Sequence, residues 1–213
     1  QITEKKLESV GTIRNLTILF CDIKGFTPFS ESLSAYDVIF ILNRYFSIMR
    51  EVIMRHGGEV NNYIGDAILA IFGLKESRQQ SLRAVSASIE MLKEMDQFKS
   101  YLKQAYGQDF DIRVGVHYGE VISGSVGIGE DRKVTVIGDA VNIASRIESI
   151  NKEAGTRLLI SETVYDQIKD KVSVKNYLRL KLRGTSSLIT LYEVCLLYKS
   201  DAADDMQCVD LGG

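Results

Sequence analysis

Two short apolar runs, each carrying an aspartate beside a glycine, constrain this chain more than any other feature: LTILFCDIKGFT around Asp22 and YIGDAILAIFG around Asp66. Their β-branched and aromatic residues over a strand's length read as buried strands. A carboxylate at the end of such a strand is costly to bury alone, so each aspartate needs a cation or a row of backbone donors. Two of them together can hold a metal pair for in-line attack at phosphorus. Singly, a strand-end Asp is more often a turn or cap residue. The stretch after Asp22, residues 23–27, contains Gly25 and reads as a short loop whose N–H groups can turn toward phosphate oxygens.

A third run, VTVIGDAVNIASRIESI at residues 134–150, breaks from strand at Gly138 into an amphipathic helix with Val141, Ala144, Ile147 and Ile150 apolar. Asn142 and Arg146 stand at i and i+4 and so share a face. An amide suits a ribose, and a guanidinium offers phosphate a rigid fork of donors. For an arbitrary N-x-x-x-R the solvated helix face is the commoner outcome.

The remaining pattern places these runs in a fold. Residues 16–21 read as a strand, followed by a helix over residues 36–56 that Ser34 caps and Gly57 and Gly58 end. Val38, Ile41, Leu42, Tyr45, Phe46, Met49, Val52 and Ile53 keep helical spacing and form a core stripe. Residues 59–64 and 67–72 read as a hairpin turning at Gly65 and Asp66, which brings Asp66 toward the end of the first strand. A helix over residues 79–105 precedes a second hairpin, 112–117 with 120–125 about Gly119. The third run follows a charged tip at residues 129–133. Strand 158–160, a helix from Ser161, and strands near 177–182 and 190–194 complete the pattern. Helices on one face of a largely antiparallel sheet give an α+β fold on a ferredoxin-like βαββαβ core. Residues 1–14 read as a linker or coiled-coil entry, and the polar, acidic residues 199–213 as a disordered tail.

With 213 residues, 45% of them hydrophobic, the chain is long enough for one core and too short for two unrelated domains. A net charge of −2 offers no broad attraction to nucleic acid or an anionic membrane. No apolar stretch reaches transmembrane length and no signal-peptide pattern opens the chain, so a segment without membrane contact in the cytoplasm is expected. The cysteines, Cys21, Cys195 and Cys208, show neither metal spacing nor a paired framework. Cys21 reads as a small buried hydrophobe, and His56 and His117 as structural.

The motifs FCDIKGFT, GDAILAIFG, GVHYGEVISGSVG and IGDAVNIASR, in this order, resemble the class III nucleotidyl cyclase catalytic domain, most of all its bacterial adenylyl cyclases. The likeness covers residues 15–196 and sets a catalytic domain at 15–198. It implies that Asp22 and Asp66 bind two Mg2+ or Mn2+ ions, with the Ile23 carbonyl as a further ligand. It makes Ile23, Lys24, Gly25, Phe26 and Thr27 the triphosphate cradle. Asn142 then orients the ribose, and Arg146 stabilises charge on the α-phosphate during conversion of ATP to 3′,5′-cyclic AMP and pyrophosphate. It further implies a head-to-tail homodimer, one subunit giving Asp22, Asp66 and Asn62 and the other Thr135, Asn142, Arg146 and Arg183 to each site. Regulatory domains in a longer parent protein are expected.

Two departures stand out. Asn62 occupies the base-reading position where the family's adenylyl cyclases carry Lys and its guanylyl cyclases Glu. Its partner position holds Thr135, common in bacterial adenylyl cyclases. Asn can donate and accept, but no carboxylate is matched to guanine's donors, which favours ATP. The family's polyphosphate Lys-Gly pair is matched by Arg183 and Gly184, with Lys181 two residues earlier as the fallback. A catalytically degenerate nucleotide-binding module is the competing reading. The GG-[DE]-[DE]-F turn of a diguanylate cyclase is missing, and no basic stripe marks a template-dependent polymerase.

Overall fold

The structure is a computed structural model and describes residues 11–126, 133–181 and 188–197. Strand β1 (Thr12–Lys24) sets the two sides of the sheet. Leu16 and Ile18 enter one core and Leu19, Cys21 and Ile23 the other, as the two-residue pleat requires. Because β1 starts at Thr12, residues 12–14 are strand and not linker. The expected loop at 23–27 is also different. Ile23 and Lys24 finish β1, Gly25 takes a left-handed φ of 82° that suits glycine, and Phe26 and Thr27 open a short helix, α1 (Phe26–Glu31).

Helix α2 (Ala35–Arg55) is capped by the Ser34 hydroxyl, which accepts from the Asp37 N–H, and ends at His56 before the positive φ of Gly57. Its Ile41, Tyr45, Met49, Val52 and Ile53 are buried, as the stripe predicts. Strands β2 (Gly58–Ile64) and β3 (Ala67–Phe72) form the expected hairpin around Gly65 and Asp66. Then come α3 (Gln80–Tyr106), β4 (Asp111–Val126), β5 (Lys133–Ile137), α4 (Asp139–Ala154), β6 (Leu158–Ser161), α5 (Glu162–Ile168), β7 (Val172–Lys181) and β8 (Leu188–Leu197).

The sheet runs β2-β3-β1-β4-β6-β8-β7, with β5 paired to β4. β1 is antiparallel to both β3 and β4, so β1-α2-β2-β3-α3-β4 is the expected ferredoxin-like unit. β6 adds to it in parallel on β4, making the sheet mixed. Helices cover both faces, not one. α2, α3 and α5 close the larger core, while Ala140 and Ala144 of α4 meet Leu16, Ile18, Leu69 and Val136 on the opposite face.

The second expected hairpin does not exist. β4 runs unbroken through Gly119, whose missing side chain serves packing: a Cβ there would lie 2.9 Å from His117 Nε2 and 3.0 Å from Ala140 Cβ. The reversal comes after Val126, and the charged tip lies mostly outside the described residues. Gln80 ties α3 to β1, its Oε1 accepting from Thr17 N at 3.0 Å and its Nε2 donating to Asn15 O at 3.2 Å. Cys21 is free and buried, with its thiol pushed up to about 12 by burial. Both histidines are built into the fold, His56 against Glu90 and His117 against Ser161.

Candidate active site

The register of β1 and β3 brings the two aspartates together. Cys21 lies opposite Ile68, so Asp22 emerges one residue later beside the β2–β3 turn that carries Asp66. It faces the α4 side of the sheet, the side of Leu16 and Ile18. The two carboxyls lie close enough for each to feel the other's charge. Burial, and then the Asp66 charge, push the Asp22 carboxyl above the usual carboxylate range, while a backbone bond from Ile23 and the Arg113 charge pull it back.

Two half-buried carboxylates side by side, with the Asp22 carboxyl raised by burial and by its neighbour's charge, fit a divalent cation, which relieves both the desolvation and the repulsion. Among the described residues no group of three or more His, Cys, Asp or Glu side chains converges. Oxygen from the Ile23 carbonyl, water or a phosphate would therefore complete such a site, in the manner hard cations accept.

Behind Asp22 stands a charged pair that sequence reasoning missed. Arg113 of β4 is the direct cross-strand partner of Asp22, with Nη2 3.8 Å from Oδ2. Its Nε donates to Glu148 Oε1 at 3.0 Å, and the Glu148 side chain is only 4% exposed. Burial pushes the Glu148 carboxyl up to about 7, with Arg113 pulling the other way. The available signal was its position: Ala144, Ile147, Glu148 and Asn151 form the buried stripe of α4, where a carboxylate needs a partner.

Asn142 and Arg146 share a face of α4, Asn142 exposed and Arg146 half-buried. Arg146 Nη1 lies 4.0 Å from Asp139 Oδ1 and is buried without a hydrogen-bond partner, so a guanidinium donor is held in reserve there. Among the described residues no hydrogen bond or ion pair joins Asn142 or Arg146 to Asp22 or Asp66. α4 is seated closely on β4 at Gly115, where a Cβ would lie 2.5 Å from Ala144 O and 2.9 Å from Glu148 Cα.

Asn62 is exposed on β2 beside a bulge, and Thr135 is half-buried on β5 opposite Gly124. The residue before each forms a joint, Asn61 Nδ2 donating to Val134 O at 3.0 Å. Lys24 and Thr27 are exposed, Ile23 is buried, and Phe26 packs its ring near Phe29 and Phe110. Lys181 ends β7, exposed. Arg183 lies outside the described residues.

A two-carboxylate strand end with an Asn-Arg helix across the same sheet face is the layout of a nucleotidyl cyclase catalytic domain. The comparisons agree. The family model for the adenylate and guanylate cyclase catalytic domain matches residues 9–194. An adenylate cyclase of Anabaena cylindrica is 36% identical over 191 residues, covering 86% of this chain and 37% of that protein. The guanylyl cyclase Cya2 superposes with a TM-score of 0.83 at 31% identity, covering 90% of this chain and 96% of that one. The adenylyl cyclase CyaB from P. aeruginosa gives 0.80 at 30%, covering 90% and 98%. The chain belongs to the class III nucleotidyl cyclase family. It spans little more than a third of the length of the Anabaena relative.

Proposed function

We propose that this domain converts ATP to 3′,5′-cyclic AMP and pyrophosphate, the ribose 3′-oxygen attacking the α-phosphorus as the P–O bond to pyrophosphate breaks. The observation that carries this reading is the strand register that sets Asp22, near the end of β1, beside the β2–β3 turn that carries Asp66. Divalent ions held there, Mg2+ or Mn2+, would lower the pKa of the 3′-hydroxyl and neutralise the phosphates. The chain's own residues then orient and stabilise. Asn142 fixes the ribose, and Arg146, with its free buried donor, meets the charge that grows on the α-phosphate. Lys24, Gly25, Phe26 and Thr27 flank the phosphate tail with Lys181 and Arg183 supplying positive charge.

Asn62 and Thr135 are the base-reading pair. Their hydrogen-bond inventory serves adenine's N6 donor and N1 acceptor without a carboxylate for guanine. The adenylate cyclase of Anabaena supports that preference. The likeness to Cya2, a guanylyl cyclase, keeps GTP as the second reading. The site is completed by a second copy arranged head to tail, since among the described residues no hydrogen bond or ion pair joins Asn142 or Arg146 to the two aspartates of their own chain. One copy would give Asp22, Asp66 and Asn62, and the other Thr135, Asn142, Arg146 and Arg183. A homodimer then has two equivalent sites. The domain would work in the cytoplasm as the output of a longer, regulated protein.

The test is incubation of the dimeric protein with ATP or GTP and Mg2+ or Mn2+, with products identified by mass spectrometry beside Asp22→Ala and Asp66→Ala. Cyclic AMP from the parent alone is the expected result. Cyclic GMP as the main product would reverse the base assignment. Nucleotide binding without a cyclic product would identify a regulatory module instead.

A further inference from the structure

The apolar stripe that seats α4 does not fix the helix about its own axis. Ala140, Ala144 and Ile147 are buried, but apolar contact is non-directional, and the close approach at Gly115 limits distance and not angle. A rotation of about 10° carries a side-chain tip about 5–6 Å from the axis through about 1 Å. A misplacement of that size can cost on the order of 100-fold in rate. We propose that Asn151 is the positioning residue that sets the rotation and height of α4 on β4, and through them the placement of Asn142 and Arg146. The inference rests on the reading of those two residues as the ribose and α-phosphate contacts.

Asn151 stands in the last turn of α4 and is 1% exposed. Its Nδ2 donates across to Val114 O of β4 at 3.0 Å and, within the helix, to Glu148 O at 3.0 Å and Ile147 O at 3.4 Å. Its Oδ1 accepts from Thr156 Oγ1 at 2.8 Å, and its main-chain carbonyl from Thr156 N at 3.0 Å. One buried amide therefore joins the helix, the turn that follows it and the sheet. Val114 N in turn donates to Arg157 O at 2.8 Å, so the strand residue that Asn151 grips is also tied to that turn. Among the described residues, no other side chain of α4 hydrogen-bonds to the sheet backbone. The chemistry is particular to an amide of this length, which donates and accepts at once; a carboxylate cannot donate, and a serine hydroxyl stops one bond short. Arg146 and Asn142 lie five and nine residues before the pin, about 7.5 and 13.5 Å along a rigid helix.

Asn151→Ser tests this. Its hydroxyl can bond back to Ile147 O inside the helix, so the new side chain is satisfied while the link to Val114 O is lost. Cyclic nucleotide formation well below Tm is measured beside Mn2+ binding in the presence of 3′-deoxy-ATP, followed by electron paramagnetic resonance. The proteins compared are the parent, Asn151→Ser, Asn151→Asp and Arg146→Ala, each shown to be folded by circular dichroism. The expected result for Asn151→Ser is a kcat lowered about 10–100-fold with Mn2+ affinity within about twofold of the parent, because Asp22 and Asp66 do not ride on α4. A general loosening of the fold would move both readings together. Asn151→Asp keeps the shape and the acceptor and should show the same split, since the donated bond is the pin. A folded Asn151→Ser with the parent's kcat overturns the proposal, and so does a loss of kcat matched by an equal loss of Mn2+ affinity. If that variant does not fold, Asn151→Asp decides by the same two readings. Arg146→Ala with the parent's kcat would instead refute the reading of the polar face of α4, and this inference with it.

Discussion

Gly115→Ala puts the seat of α4 to a quantitative test. The added methyl would stand 2.5 Å from Ala144 O and 2.9 Å from Glu148 Cα, and ordinary contact begins at 3.4 Å. The atoms in the way belong to the helix backbone, so no side chain can rotate aside. α4 has to retreat from β4 by about 1 Å, the strain of an overpacked core, at a cost of about 2–3 kcal/mol. For a chain of this size that lowers Tm by roughly 4–12 °C. The retreat carries Asn142, Arg146 and Glu148 with it, and a misplacement of about 1 Å can cost on the order of 100-fold in rate. Thermal unfolding by circular dichroism and cyclic nucleotide formation read the two effects. Gly107→Ala is the control. Gly107 ends α3 at a φ of 74° with nothing within 4 Å of a new Cβ, so it should lose about 1 kcal/mol to backbone strain and keep its turnover. A Gly115→Ala protein with the parent's Tm and full turnover would refute the account of how α4 is held.

Further outcomes follow from the buried polar groups. His117 is 7% exposed and burial depresses it to about 4, so between pH 6.5 and 4 the unfolded chain binds the extra proton and stability falls as pH drops. Relative to the parent, His117→Gln should gain up to about 3 kcal/mol across that window in urea titrations. A parallel pH dependence in both proteins would contradict this. Glu148, 3% exposed and raised to about 7, acts with the opposite sign: its contribution is full below pH 4.5 and is lost as pH rises through 7. The Glu148→Gln protein should therefore compare least favourably with the parent in acid, read by the same titrations. Gln80→Leu strips the partner from the buried Thr17 N–H and should cost about 1–3 kcal/mol with turnover retained; an unchanged Tm would show that the N–H finds another acceptor.

What the sequence disclosed was local. The β2–β3 turn was legible because Gly65 and Asp66 sit between two runs whose lengths leave only a tight turn, and α4 because its apolar spacing starts cleanly after Gly138. The Ser34 cap and the α2 stripe follow equally from neighbouring residues. Misreadings arose where a residue's reason lies elsewhere in the fold. Gly119 looked like a turn because glycine's need for a close neighbour is invisible without α4. α1 is too short to show a period. Arg113 and Glu148 are 35 residues apart and meet only through the pairing of β4 with α4, so no spacing rule finds them. The placement of α4 on the second face likewise depends on which cores close, not on any one segment.

The unbroken run of β4 limits how this domain can change length. Arg113 stands near one end of the strand, and the rows that pair with β5 stand at the other, from Ile122 to Val126. Side chains alternate with a period of two, so deleting or inserting one residue between them would leave Arg113 facing Asp22 while turning the β5-pairing rows to the opposite side. Thr135, held by that pairing opposite Gly124, would then turn to the opposite side of the sheet. Insertions and deletions among relatives of this domain should therefore fall outside β4, and those inside it should come in pairs.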